Sequence, residues 1–183
     1  MVELAIVTGT TSSLMNQVAE RELDGAFVAG PIHHQELSEE PLFLEDLVLV
    51  SPLSVRNFDD LAKVENLKAI VFRQGCSYRQ RLGSILDGLG IHYMVMEFAS
   101  LDAIVTCVTA GIGITLLPKA LVEKLWADQS VTVHELPVDQ AQVETVFVRR
   151  HDRYPTSALN AFLRMSRQVS NITTLDRQLG AIG

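Results

Sequence analysis

The sequence predicts an α/β fold, a mostly parallel sheet flanked by helices, and three observations carry that expectation. Short apolar runs alternate with amphipathic stretches of helical period along most of the chain, as strands linked by helical crossovers do. Ser100–Pro118 reads as a capped helix running directly into a buried strand: Ser100 can cap, Asp102 suits the first turn, and Leu101, Ile104, Val105 and Val108 share a face. Gly111 then ends the helix, Gly113 turns the chain, and Ile114–Leu117 is an apolar run stopped by Pro118. Finally, the pattern resets after Ser51-Pro52, which predicts entry into a second lobe.

Composition narrows the class. A chain of 183 residues can build one ordinary domain or two small lobes, and 48% hydrophobic against 20% charged residues excludes general disorder. No apolar run is long enough to span a bilayer, and no basic region precedes a signal-type apolar core at the N-terminus. No membrane partner is expected, and the location expected is cytoplasmic. Cys76 and Cys107 are too few for a disulfide framework. The net charge of −7 provides no basic footprint for nucleic acid, so DNA contact would need a domain absent here.

Taken in order, Glu3–Thr8 reads as a buried strand, followed by possible caps at Thr10–Ser13 and a helix with Leu14, Val18 and Ala19 on one face. Ala26–Ala29 is a strand that stops at Gly30-Pro31. Residues 32–41 read as a loop, and Leu42–Leu44 and Leu47–Val50 as strand segments separated by Glu45-Asp46. Asn57 or Asp59 starts a short helix through Leu61 and Val64, and Ala69–Phe72 is a strand. An amphipathic helix from Tyr78 turns Leu82, Ile85, Leu86 and Leu89 inward and ends at Gly90. Tyr93–Phe98 is the next strand, and Ser100–Pro118 follows it. Pro118 at the first helical position starts a helix through Trp126, Val131–Leu136 and Val143–Val148 are strands, and Pro155-Thr156-Ser157 opens the last helix. The polar tail beyond Ser170 is expected to be mobile or only partly helical.

With no repeat, low-complexity segment or Gly/Ser tether, two lobes would have to share crossing strands, near Val48–Pro52 and Pro137–Val143. The expected division is 1–51 with 140–183 as lobe I and 52–139 as lobe II.

Four segments together resemble the effector-binding domain of LysR-type transcriptional regulators: Leu23–Val28, Leu47–Leu53, Phe72 with Gly75 and Arg79, and above all Val108–Pro118. The resemblance covers about Val2 to Arg167. It implies the two-lobed fold of periplasmic binding proteins, a small-molecule effector in the cleft, a homo-oligomer (dimer or tetramer), and DNA contact only through a separate domain. It also places Val2–Thr8 at the family's second strand, so the apolar edge of Leu4–Val7 is expected to be covered by a neighbouring chain or an altered packing.

Several residues are candidate ligand contacts. Gly9, Thr10 and Thr11 lie between a strand and a helix, where hydroxyls and unpaired N–H groups suit an anion; a threonine there can cap the helix, line a cleft, or do both. By resemblance, the loop Arg73–Ser77 faces the cleft and brings Cys76 or Ser77 to the effector. Arg79, one turn into the helix, is either a solvated arginine or a charge-assisted partner for an acid. Ser100 is a plain cap or a cleft hydroxyl. Peroxide-sensing members of the family carry a reactive cysteine in the loop of Cys76, but their downstream resolving cysteine is missing here, which favours a polar or packing thiol over a redox switch.

His33, His34, His92, His134 and His151 share no metal-ligand spacing with one another or with the cysteines, so surface or capping roles are expected and no cofactor or metal is. Nucleophile-elbow, Walker and His-Glu-x-x-His patterns are absent, and Gly111-x-Gly113 precedes a strand where a dinucleotide loop opens a helix. The function expected is therefore non-enzymatic: sensing of a small, anionic metabolite. The alternative is a solute-binding protein that delivers its ligand to a transporter.

Overall fold

The computed structural model describes residues 4–180, with side chains for residues 4–168. Its elements in chain order are α1 Thr11–Ala19, β1 Ala26–Ala29, β2 Leu37–Ser51, α2 Phe58–Leu61, β3 Lys68–Phe72, α3 Ser77–Gly88 and β4 Met94–Phe98. There follow α4 Leu101–Thr109, β5 Thr115–Pro118, α5 Lys119–Leu125, β6 Thr132–Glu135, α6 Val138–Ala141, β7 Gln142–Arg150 and α7 Ser157–Gly180. The chain divides into two compact units: Met1–Leu44 with Glu144–Gly183, and Glu45–Val143. It passes between them within β2 and β7.

In the first unit, β1 pairs antiparallel with β7, Ala26 opposite Val148 and Ala29 opposite Thr145, and β7 neighbours β2. The alternation of apolar side chains turns Ala26, Val28, Val146 and Val148 to one face, where they close on Leu14 and Val18 of α1 and on Leu37. The other face holds Phe27, which meets the rings of Phe147 and Phe162 at centroid distances of 5.3 and 5.7 Å. Helix α1 is short, and its cap fixes where it starts: the Ser13 N–H donates to Thr10 Oγ1 at 3.3 Å.

The second unit is built on β3. It pairs in parallel with β4, Lys68 opposite Met94 and Phe72 opposite Phe98, and α3 makes the crossover between them. On its other side a parallel bridge joins Ala69 to Ile114. The Ile70 N–H donates to Ile114 O at 2.8 Å and the Ile114 N–H to Lys68 O at 2.9 Å. Val48 and Val50 of β2, Ile70, Ile104, Val108, Leu117, Val122, Trp126 and Val131 form the core. The Trp126 indole N–H is satisfied by Thr109 Oγ1 at 2.8 Å.

Strand direction corrects the expectation of mostly parallel sheets. Parallel pairing is found between β3 and β4 and at the Ala69–Ile114 bridge, whereas β1/β7, β2/β5 and β2/β6 are antiparallel. The reason is topological: β2 and β7 are through-strands and belong to no strand–helix–strand repeat. The loop expected over 32–41 is also shorter, because β2 starts at Leu37 and continues without interruption through Glu45 and Asp46. Intermediate polar positions do not break a strand whose two faces meet different surroundings along its length.

Leu4–Val7 is not a strand. Leu4 is 62% and Ile6 78% exposed, and the segment has no strand partner among the described residues; Glu3, where that strand was expected to start, lies outside them. An apolar run acquires strand structure only where a neighbour pairs its backbone. Leu89 is exposed where an inward face was expected, since α3 ends at Gly88 before its turn completes. The second helix stops at Leu61, and Val64 is exposed. Pro118 is the cap of α5, one position before the first helical residue. The backbone beyond Ser170 stays helical to Gly180, consistent with a segment that contains no earlier glycine or proline.

His134 corrects the surface or capping role expected of the histidines. It is buried on β6, its Nε2 lies 2.7 Å from the buried Ser51 Oγ, and its ring packs on Phe58 at 5.4 Å. The pairing of Ser51 with Thr132 in the ladder places His134 beside this strand end, a juxtaposition across 83 positions of sequence.

Two predictions follow from this packing. Burial lowers the His134 pKa from the usual 6.5, against a smaller opposing effect of Asp60. Above that value both folded and unfolded chains hold a neutral imidazole; below it the unfolded chain takes up a proton more readily, so stability falls as pH drops from about 6.5 towards the lowered folded value. Urea unfolding across that range should show the decline, and His134→Gln should flatten it. A Cβ on Gly113 would stand 2.2 Å from Lys68 O, whereas Gly111 has a φ of +78° and open space around it. Gly113→Ala should lose about 3 kcal/mol or more, and Gly111→Ala about 1–2 kcal/mol, by the same measurement.

Candidate functional site

In the second unit, two helices begin side by side at one sheet edge. Because Phe72 and Phe98 lie opposite each other at the C-terminal ends of parallel β3 and β4, the segments leaving both strands emerge together. Arg73–Cys76 leads into α3 of 12 residues, and Ala99-Ser100 into α4 of 9. Each helix start presents backbone N–H groups without intrahelical acceptors and the positive end of its dipole. Crevices outside the carboxyl ends of strands are where open α/β sheets hold ligands.

The hydroxyls at this edge differ in what they are free to do. Ser100 Oγ accepts the Ala103 N–H at 3.3 Å, so it acts as the α4 cap. Cys76, the N-cap residue of α3, makes no such bond, and the Ser77 hydroxyl has no hydrogen-bond partner among the described residues. The cap-free helix start and the free hydroxyl thus coincide at α3. Gly75, just before them, has a φ of +94°, which a side chain would strain. Cys76 and Cys107 are both free, half-buried thiols, and Cys107 packs against the core.

The two candidate arginines have opposite surroundings. Arg79 Nη1 is bound by Glu97 Oε2 of the adjacent strand, so its charge is already matched. Arg73 is exposed, and its guanidinium has no partner among the described residues. In the first unit, Thr10 is the α1 cap, the Thr11 hydroxyl has no partner among the described residues, and Gly9 is exposed.

Sequence reasoning missed Tyr78 and Glu45. The Tyr78 hydroxyl donates to Glu45 Oε2 at 3.0 Å, next to the N-terminus of α3. Burial raises its pKa well above the usual tyrosine range, and the Glu45 carboxylate adds to the effect, so the phenol stays a proton donor. No local signal marks this pair, since the two residues stand 33 positions apart. No group of histidine, cysteine and carboxylate side chains able to hold a metal ion occurs among the described residues.

A family model described as the LysR substrate binding domain matches residues 1–171. The chain belongs to the LysR substrate-binding domain family. Among curated relatives, the HTH-type transcriptional regulator GltR of Bacillus subtilis (strain 168) is 38% identical over 177 residues, 96% of this chain and 60% of that protein. The HTH-type transcriptional regulator SoxR of Arthrobacter sp. (strain TE1826) is 37% identical over 163 residues, 88% of this chain and 55% of that protein. The chain therefore spans less than two thirds of these LysR-type relatives. The effector binding domain of QuiR in complex with shikimate superposes with a TM-score of 0.71 at 19% identity, covering 89% of this chain and 79% of that one. The CcmR regulatory domain of Synechocystis PCC6803 in complex with 2-PG gives 0.68 at 17% identity, covering 88% and 80%. These likenesses establish the periplasmic-binding-protein-like fold of LysR regulatory domains. No helix among the described residues is long and apolar enough to cross a membrane.

The hydroxyl arrangement makes a testable distinction within this LysR domain. Ser100→Ala should lower stability by about 1 kcal/mol through loss of the α4 cap. Ser77→Ala, which removes no bond, should change it by less than about 0.5 kcal/mol. Denaturant titration of the two variants checks both values.

Proposed function

We propose that this LysR substrate-binding domain senses a small anionic metabolite, held at the start of α3 and α4. The observation that carries the reading is the coincidence at α3 of an uncapped helix N-terminus, the unpartnered Ser77 hydroxyl and the unpartnered Arg73 guanidinium. Cys76 and Ser100 border the same edge. Arg79 serves as a reserve cation that a ligand reaches only by competing with Glu97. In the first unit, Gly9, Thr10 and Thr11 at the start of α1 are candidate anion contacts by the same reasoning. That structural neighbours hold shikimate and 2-PG supports a ligand of this size.

In the same reading the domain acts on transcription through a separate DNA-binding part, which the HTH-type relatives and the share of their length matched support, and belongs to a homo-oligomer in the cytoplasm. The effector works by binding one conformation better than another, without turnover, and a differential affinity of about 1–3 kcal/mol is a usual coupling. At a hundredfold excess over its Kd, a ligand adds about 2.7 kcal/mol of stability, roughly 5–10 °C in Tm for a chain of this size. A thermal-shift screen of small organic acids should find such an acid, and Ser77→Ala with Arg73→Gln should abolish its shift. Flat melting temperatures with every acid, or a shift that survives both substitutions, would refute the reading.

A further inference from the structure

We propose that the first unit carries a second anion site, a recess in which Arg149 and Arg153 bind a small oxyanion bearing carboxylate or phosphate groups. The recess, about 240 Å³, lies where the end of β7, the start of α7 and the segment after α1 meet. Four arginines line it, Arg21, Arg149, Arg150 and Arg153, against the single carboxylate of Asp24. On a chain of net charge −7 such a concentration of guanidinium groups is a marked local reversal of sign.

Their hydrogen bonds separate the structural arginine from the available ones. Arg150 is fully engaged: it donates to Ala19 O at 2.6 Å, to Asp152 Oδ1 and Oδ2 at 2.8 and 2.7 Å, and pairs with Glu36 at 3.3 Å. Arg21 lies 3.4 Å from the same Asp152, and its φ of +68° holds it in the turn that follows α1. Arg149 donates only through Nη1, to Arg150 O and Arg153 O at 3.3 and 3.2 Å, and its Nε and Nη2 have no acceptor among the described residues. The Arg153 guanidinium has no partner there. Two guanidinium groups with unused donors therefore line a recess in which Asp24 is the single carboxylate. Tyr154 adds a phenol at the rim, 99% exposed and with nothing packed on it. Planar guanidinium forks match the paired oxygens of carboxylate and phosphate.

Within the first unit the recess is separate from the candidate contacts Gly9, Thr10 and Thr11. Gly9 and Thr10 precede α1 and Thr11 opens it, while Arg21 and Asp24 follow its C-terminus, about 13 Å away along nine residues of helix.

Calorimetric titration of the whole chain at low ionic strength, with inorganic phosphate in one arm and citrate in the other, tests the proposal and tells the two chemistries apart. Saturable one-to-one binding of at least one of them is expected, with shifts of the Arg149 and Arg153 Nε–H resonances in nitrogen-15 spectra. Arg153→Gln removes no internal bond and should weaken the affinity about tenfold at unchanged Tm. Arg149→Lys, which keeps a donor for the two carbonyls, should weaken it as well. Failure of both anions to saturate, or an affinity that neither substitution alters, would overturn the proposal.

Discussion

The second unit depends on one close backbone approach. Gly113 lies so near Lys68 that a methyl group would stand 2.2 Å from its carbonyl oxygen, and on either side of this point Ile70 and Lys68 exchange hydrogen bonds with Ile114. That contact seats the chain after α4 against β3, so that β5 can continue to β2 and close the core over Ile70, Ile104 and Leu117. Only glycine permits it, because any Cβ would push the strands apart and leave paired backbone groups without partners.

From this seating the proposed ligand edge follows. With β3 held on both sides, its C-terminal end and that of β4 are fixed in register, and the starts of α3 and α4 come together there. The edge then divides its labour. Ser100 caps α4, Arg79 pairs with Glu97, and the uncapped start of α3 is left with its own N–H groups, Ser77 and Arg73. A helix end that lacks an internal cap is less stable by itself and correspondingly ready to accept one from outside. The first unit sets its charges in a similar way, with Arg150 held by Asp152, Glu36 and the Ala19 carbonyl, while Arg149 keeps unused donors and Arg153 is exposed.

Local chemistry was legible where it acts over a few residues. Ser100 accepting from Ala103, Thr10 accepting from Ser13, Asn57 accepting from Asp60 and the positive φ of Gly111 are all decided within one helical turn. Apolar runs located β1, β3, β4, β6 and the core face of α4 for the same reason, since their periodicity is written in neighbouring positions. Leu4–Val7 shows where this reasoning ends: its pattern is that of a strand, yet a strand exists only with a partner, and its apolar side chains remain exposed.

By itself, then, the sequence determined the α/β class, the helix caps, the glycine turns and the family, because each rests on short-range spacing or on a contiguous motif. The tertiary structure alone decided the antiparallel through-strands, the burial of His134 against Ser51, the Tyr78–Glu45 bond and the pairing of Arg79 with Glu97. Each of these joins residues from different elements, and which partner a polar side chain finds depends on how strands are ordered. Ser100–Pro118 shows both sides: its helix, cap and turn could be read in advance, but its role as the seat of β3 came from a carbonyl more than thirty positions earlier.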